Sequence, residues 1–135
     1  MTKISVDTNI LIFIHDKLNI EKREIAQQIL SENPAISTQV ISEYLNTTRR
    51  LLPDFKKEDL LLQTAELFSE CPVAKVTSAT LVIAAELIKK YQFQIFDAVI
   101  VASGIESGCN VLYSEDMHHG LIVNKTLTII NPFKK

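Results

Sequence analysis

The chain has two cysteines, no apolar run long enough to span a bilayer and no excess of basic residues. Cys71 and Cys109 show no metal-ligand spacing, which favours buried free thiols in a reducing cytoplasm. Because a membrane-length stretch and a recognisable signal peptide are both missing, we expect a cytoplasmic protein without membrane contact. The net charge of −2 argues against bulk, charge-driven nucleic-acid binding, and it still allows a local basic patch.

Internal repeats, low-complexity segments and interdomain linkers are also missing from the 135 residues. This length suits one domain, so residues 1–135 are expected to form a single folded unit. The apolar fraction of 47% is sufficient for a substantial core. The absence of a P-loop disfavours a nucleoside triphosphatase of that class.

The most informative stretch begins at Lys3, where a short alternating segment leads to a carboxylate and then to a second apolar run. Ile4 and Val6 alternate with polar neighbours, so we predict a strand ending at Asp7, a tight turn, and a helix from about Ile10. In open α/β sheets, ligands bind just beyond the carboxyl ends of the strands. Asp7 is therefore a candidate ligand-binding residue, and a turn-forming aspartate is the alternative that this stretch alone favours.

Helical and strand patterns alternate along the rest of the chain, with Pro53 predicted to end one helix. Further helices are predicted near residues 20–31, 38–51, 54–71, 78–90 and 96–107. Further strands are predicted near residues 35–37, 73–76, 111–114 and 127–130. Such alternation implies right-handed crossovers and an α/β fold with a mainly parallel sheet flanked by helices.

Two further acids are predicted at the same edge of the sheet. Asp97 lies in the first turn of a helix that is apolar almost all round its middle, which is typical of a buried helix. An unpaired buried charge is costly, so Asp97 needs either a capping role or a metal ion. Asp116 follows the strand near residues 111–114, and we favour it over Glu115, which would face the other way if the strand continued.

Glu43 is predicted on a helix that follows the second strand, on the stripe opposite the apolar face of that helix. A solvated side chain is the usual outcome for such a glutamate, although this one is able to lean over the same sheet edge. Clustered carboxylates raise one another's pKa unless a cation neutralises them. Oxygen ligands of this kind suit Mg²⁺ or Mn²⁺ and phosphoryl chemistry, and the missing Cys/His ligand set argues against zinc.

Four segments of the chain resemble the PIN-domain family and, more narrowly, the VapC-type ribonuclease toxins of prokaryotic toxin–antitoxin operons. The segments are VDTNILI at Val6–Ile12, SEYLN at Ser42–Asn46, FDAVIVASGIESG at Phe96–Gly108 and LYSEDMHHG at Leu112–Gly120. They occur in the family order and at family spacing, and the resemblance extends from Ile4 to Phe133.

The resemblance implies a single three-layer PIN domain with a five-stranded, mainly parallel sheet. The acidic quartet that it assigns to Mg²⁺ or Mn²⁺ binding is Asp7, Glu43, Asp97 and Asp116. Asn9 and Ser114 take the supporting polar positions, and Ser114 precedes the last acid by two residues. The implied activity is endonucleolytic cleavage of single-stranded RNA, leaving a 5′-phosphate and a 3′-hydroxyl. The implied partners are RNA, a cognate antitoxin and a second copy of the chain in a homodimer.

A metal-dependent endoribonuclease is the hypothesis we favour. In it Asp7 and Asp97 hold the ion directly, Glu43 helps to hold it or positions the attacking water, and Asp116 binds a second ion or acts through water. One-ion and two-ion mechanisms both fit the sequence. The candidates for contacts to RNA phosphates are Arg49, Arg50, Lys56 and Lys57, with ordinary solvated charge as an equal alternative.

Two other hypotheses stay open at this stage. A catalytically silent module of the same fold would act through partners alone, although it has no physical need for four clustered acids. A receiver-like phosphoacceptor also carries acids at strand ends, but it needs a paired acid at the first strand and a lysine near the last, and neither is evident. His118 and His119 are predicted to be loop residues.

Overall fold

The computed structural model describes residues 2–51 and 56–134, which form six strands and six helices. Their order is β1 (Ile4–Val6), α1 (Thr8–Phe13), α2 (Ile20–Leu30), β2 (Ile36–Ser37), α3 (Thr38–Leu51), α4 (Lys57–Glu70), β3 (Val73–Ala74), α5 (Ser78–Tyr91), α6 (Ile95–Glu106), β4 (Val111–Tyr113), β5 (Ile122–Val123) and β6 (Leu127–Ile130). Every predicted helix and strand is present. Pro53 and the predicted start of a helix at residue 54 lie outside the described residues.

The sheet is mainly parallel, as predicted. β1 pairs with β4 and β4 pairs with β6, both in parallel, while β2 and β3 form a second parallel pair. A bridge between Ser5 and Ala35 joins the two groups, with the Ala35 amide donating to the Ile4 carbonyl at 2.9 Å. The five expected strands therefore run in the order β3-β2-β1-β4-β6, and β5 adds an antiparallel edge strand that the sequence pattern does not predict.

Local signals in the sequence set several of the helix limits. The side chain of Asn19 accepts a hydrogen bond from the Lys22 amide at 3.1 Å and so caps α2. The Ser37 hydroxyl accepts from the Val40 amide at 3.0 Å at the start of α3. After α6 the chain turns through Gly108, whose φ of +74° is a conformation that glycine adopts without strain.

Helix α6 lies at the centre of the core. Seven consecutive residues of this helix, 98–104, are buried. A Cβ atom on Gly104 would lie 2.9 Å from a Leu127 methyl carbon and 3.1 Å from the Ser5 hydroxyl oxygen, so the missing side chain lets α6 approach β1 and β6 closely. The packing of α6 against α5 is antiparallel, and Thr80 at the start of α5 donates to Glu106 at the end of α6 at 2.5 Å. These contacts fix the position of α6, whose first turn carries Asp97.

Cys71 and Cys109 are buried free thiols, as predicted. Burial raises the pKa of the Cys71 thiol to about 11, which keeps it protonated at neutral pH. Within residues 2–51 and 56–134, no helix combines the length and the apolar character needed to cross a bilayer.

Candidate active site

One cleft beyond the carboxyl end of β1 brings the predicted acids together. It encloses about 410 Å³. Its lining residues are Asp7, Thr8, Asn9, Ile12, Phe13, Glu43, Asn46, Thr47, Asp97 and Asp116. The described part of the chain contributes no lysine or arginine to this lining, so four carboxylates share the cleft without a fixed cation.

Asp7 is the most buried of the four acids, with 5% of its surface exposed. One carboxylate oxygen accepts from the Thr8 amide at 2.7 Å and caps α1, while the other accepts from the Ser114 hydroxyl at 2.7 Å. Burial raises the pKa of Asp7 to about 6, and the charges of Asp97 and Glu43 act in the same direction against those two hydrogen bonds. The predicted turn is absent, because α1 begins at Thr8: in place of a turn-forming role, Asp7 caps this helix and lies in the acidic cleft.

Asn9 and Ser114 tie the end of β1 to the loop after β4. Besides its bond to Asp7, the buried Ser114 hydroxyl accepts from the Asp116 amide at 3.3 Å. The Asn9 side-chain amide donates to Asp116 at 3.1 Å and lies 3.4 Å from Asp7, and its carbonyl oxygen accepts from the Glu115 amide at 3.3 Å. These two polar residues therefore fix the distance between the first and the last acid.

Glu43 leans over the cleft from α3 and is half-buried instead of fully solvated. One of its carboxylate oxygens accepts from the Thr8 hydroxyl at 2.7 Å, and the other accepts from the Gln39 side-chain amide at 2.7 Å. The sequence pattern predicts neither Thr8 nor Gln39 as a site residue. The spacing of four between Gln39 and Glu43 was the available signal, because such residues are neighbours on a helix surface.

Asp97 projects into the cleft from the first turn of α6. The capping role considered for it belongs instead to Gln94, whose side chain accepts from the Phe96 and Asp97 amides at 3.1 and 3.2 Å. Burial raises the pKa of the Asp97 carboxyl, and the nearby charges of Glu43 and Asp116 raise it further.

The structure separates the two neighbouring acids after β4. Asp116 lines the cleft, whereas Glu115 forms an ion pair with Lys22 outside it. The ring nitrogen Nδ1 of His119 accepts from the Asn131 amide at 2.9 Å, which matches the expected loop role of that histidine. His118 is exposed on the same loop.

A groove between α3 and α4 adjoins the cleft. Arg49, Lys57 and Leu60 line this groove, and Asn46 lines both the groove and the cleft. Arg49 therefore lies beside the acidic site. Arg50 is exposed and lines neither the groove nor the cleft, so the structure separates two arginines that are neighbours in the sequence.

The donor chemistry of the cleft fits a hydrated divalent cation. In the described residues, no group of three or more His, Cys, Asp or Glu side chains has the close spacing of a preformed metal site. Mg²⁺ typically keeps several waters and binds through one or two carboxylates, so it does not require such a group. The charges of neighbouring acids raise the pKa of both Asp7 and Asp97, and a bound cation would offset this repulsion. The metal-binding role of the four acids stays a prediction.

Comparison with known proteins gives the family. The sequence model of the PIN domain matches residues 4–120. A search among curated proteins gave no match.

Solved structures with a similar fold include toxins and toxin–antitoxin complexes. A toxin–antitoxin complex from Klebsiella pneumoniae has a TM-score of 0.72 at 18% identity, with coverage of 99% of this chain and 100% of that one. DNA-bound VapBC from Salmonella typhimurium has a TM-score of 0.66 at 20% identity, with coverage of 96% and 97%. VapC20 from Mycobacterium tuberculosis, a sarcin-ricin loop cleaving toxin, has a TM-score of 0.65 at 17% identity, with coverage of 82% and 87%.

These structures share the fold of the chain at low sequence identity, while the domain model matches the sequence from β1 to the loop after β4. The matched range contains all four acids of the cleft. The chain therefore belongs to the PIN-domain family.

Proposed function

We propose that this protein is a Mg²⁺- or Mn²⁺-dependent endoribonuclease that cleaves single-stranded RNA. The observation that carries the proposal is the convergence of four carboxylates on one cleft without a lysine or arginine among its described lining residues. Such a cleft repels a phosphodiester unless a divalent cation is present. The description of VapC20 as a toxin that cleaves an RNA loop supports the choice of substrate.

In this proposal Asp7 and Asp97 hold the ion directly, since both are partly or fully withdrawn from solvent. When bound, the ion supplies a water of lowered pKa and offsets charge on the phosphate and on the leaving oxygen. Glu43, held between Thr8 and Gln39, orients the attacking water. Asp116, held by Asn9, acts through water or at a second ion. Attack on phosphorus with departure of the 3′-oxygen leaves a 5′-phosphate and a 3′-hydroxyl.

The adjoining groove suits the RNA backbone on one side of the cut. Arg49 and Lys57 line it, and it meets the cleft at Asn46. Phosphate contacts of this kind position a strand without reading its sequence. Arg50, one residue further along α3, is exposed and is a more distant candidate for the same role.

We also propose that the protein is the toxin of a type II toxin–antitoxin pair, binds a cognate antitoxin and forms a homodimer. Several of the similar structures are toxin–antitoxin complexes. Helix α4 exposes 67% of Leu61, 59% of Leu62 and 54% of Phe68, which is apolar surface of the kind that protein partners cover. Co-expression with the product of the adjacent reading frame, followed by light scattering of the free and bound protein, tests both partners.

The test of the nuclease is incubation of the protein with total cellular RNA, with and without Mg²⁺, followed by mapping of the cut ends. We expect cleavage only with the ion, and a loss of roughly a hundredfold or more in Asp7→Asn and Asp97→Asn. Glu86→Gln is the matched control, because it removes one negative charge from an exposed position on α5. Cleavage at the normal rate by Asp7→Asn, or cleavage in excess chelator, would contradict the proposal.

One observation favours a catalytically silent module as the second candidate: both carboxylate oxygens of Glu43 already accept hydrogen bonds from protein side chains, those of Thr8 and Gln39. This alternative predicts that Mg²⁺ leaves the melting temperature unchanged, whereas an ion bound to the folded state must raise it. A receiver-like phosphoacceptor is less well supported, because the described lining of the cleft contains no lysine. Stoichiometric phosphorylation of the protein by a small phosphodonor would support that hypothesis.

A further inference from the structure

A compact cluster of charged and aromatic side chains lies next to the cleft. The ammonium group of Lys22 forms an ion pair with Glu115 and lies 4.7 Å from the centroid of the Phe13 ring and 5.3 Å from that of Phe133. The two rings meet edge to face with their centroids 5.0 Å apart. We refer to Lys22, Glu115, Phe13 and Phe133 as the lysine anchor.

The lysine anchor joins parts of the chain that are distant in sequence. Phe13 ends α1, Lys22 lies in the first turn of α2, Glu115 belongs to the loop after β4, and Phe133 follows β6. The side chains of Lys22 and Glu115 are only 30% and 26% exposed. Partial burial and the two aromatic faces make this pair stronger than an ordinary surface ion pair.

Glu115 lies between a residue that is bonded to the cleft and a residue that lines it. Ser114, on one side of Glu115, donates to Asp7, and Asp116, on the other side, lines the cleft. The Glu115 amide also donates to Asn9, which in turn donates to Asp116. Fixing the Glu115 side chain toward α2 therefore fixes the direction in which the next side chain projects.

We propose that Lys22 is a positioning residue for the metal site: it draws the Glu115 carboxylate out of the cleft and thereby holds Asp116 over it. The inference rests on the proposed function, because it concerns the same Mg²⁺ site. It assigns Lys22 no contact with the ion or with RNA, since Lys22 is not part of the cleft lining. Its effect passes through Glu115 and Asp116.

The sign of the effect separates this proposal from simple electrostatics. Removing a positive charge near an acidic site favours cation binding through space. Loss of the lysine anchor instead leaves the loop that carries Asp116 to its bonds with Asn9 and Ser114, and this weaker hold lowers the affinity of the site. Lys22→Met, which keeps most of the side-chain volume and removes the charge, therefore gives opposite results under the two accounts.

The experiment measures Mg²⁺ binding by titration calorimetry on the full chain, without RNA. We expect Lys22→Met to weaken binding roughly three- to fivefold, and Lys22→Arg to restore most of it. In an Asp116→Asn background the same substitution should change nothing further, because its effect acts through Asp116. Circular dichroism and metal-free melting of each variant confirm that the fold is retained.

Unchanged or tighter Mg²⁺ binding by a folded Lys22→Met variant would overturn the proposal. An undiminished effect in the Asp116→Asn background would overturn it as well. Wild-type protein that binds Mg²⁺ but leaves RNA intact refutes the nuclease and not the lysine anchor. Wild-type protein that cleaves RNA, alongside a Lys22→Met variant with normal binding, refutes the lysine anchor and not the nuclease.

Discussion

Asp7 caps α1 and also lies in the acidic cleft. Its hydrogen bonds stabilise the charged side chain, whereas its burial destabilises it. Its hydrogen bonds to the Thr8 amide and the Ser114 hydroxyl favour the carboxylate and cap α1. Its burial favours the protonated form more strongly, so its pKa is raised to about 6. Without a cation, an ionised Asp7 is therefore a source of instability at neutral pH.

We predict that Asp7→Asn stabilises the metal-free protein at pH 7.5 by about 1–3 kcal/mol, because it removes a buried charge. The folded-state pKa lies above the ordinary aspartate value of 3.8, so the native protein loses stability as pH rises from about 4 to about 6. The gain in the variant should therefore disappear near pH 4. Urea unfolding in chelator measures both values.

Glu86→Gln is the control for this prediction, since an exposed substitution is expected to change the unfolding free energy by no more than about 0.5 kcal/mol. A metal-free Asp7→Asn protein that is less stable than the native chain at pH 7.5 would show that the hydrogen bonds of Asp7 outweigh its burial.

The same raised pKa predicts the pH dependence of metal binding. An ion held by Asp7 must displace its proton, so Mg²⁺ affinity should fall by about tenfold per pH unit once the pH drops below 6. Calorimetric titrations at pH 7.5 and pH 5 measure the change. Equal affinity at the two pH values would exclude Asp7 as a direct ligand.

The residues of the cleft differ in how far the sequence reveals them. Asp7 and Asp97 are predictable because each follows or precedes a strongly apolar segment. The bond from Thr8 to Glu43 is harder to predict, since it crosses 35 positions and depends on how α1 packs against α3. The pairing of Glu115 with Lys22 crosses 93 positions and leaves no local signal.

Among the elements, α6 has the tightest geometric requirement. Gly104 faces β1 and β6, where an added methyl group would meet Leu127 and Ser5. Helix propensity alone predicts that Gly104→Ala stabilises the protein, because glycine is unfavourable inside a helix. Crowding against the sheet predicts the opposite.

We predict that crowding dominates and that Gly104→Ala lowers the unfolding free energy by about 1–3 kcal/mol. Leu127 is fully buried, so its methyl group has little room to move away. Ser107→Ala, just beyond the same helix, is a suitable comparison, because its side chain is less enclosed. Chemical unfolding of both variants measures the difference, and a stabilised Gly104→Ala protein would mean that α6 adjusts freely.

The elements show where sequence patterns succeed and fail. Long helices with clear caps, such as α2 and α5, are predicted within about two residues of their observed limits. β5 is missed because the turn into β6 passes through Asn124 and Lys125, whose positive φ angles carry no glycine signal. Its strand character comes from pairing with β6 instead of from its own composition.

For the whole molecule, the acidic cleft and the α3–α4 groove together form the proposed RNA path. The net charge of −2 gives no indication of this basic groove, since acidic residues elsewhere in the chain balance its positive charges. We predict that Arg49→Ala weakens RNA binding by roughly three- to tenfold and reduces its salt dependence, with Mg²⁺ affinity unchanged. Filter binding across a salt series, with Glu43→Gln as a non-cleaving background that keeps Asp7 and Asp97, measures the effect.

Lys89→Ala, which removes a positive charge at the exposed end of α5, is the matched control for Arg49→Ala. If the two variants lost RNA affinity equally, the effect would come from overall charge, and a defined RNA path along the groove would be contradicted.

The central claim is that one ion is held between two segments 90 positions apart, at Asp7 and Asp97. The most direct measurement is an anomalous difference map from crystals grown with Mn²⁺. The account predicts a peak in the cleft at about 2.2 Å from carboxylate oxygens of both residues, lost in Asp7→Asn. A map without a peak there at millimolar Mn²⁺, or with Mn²⁺ bound only outside the cleft, would contradict it.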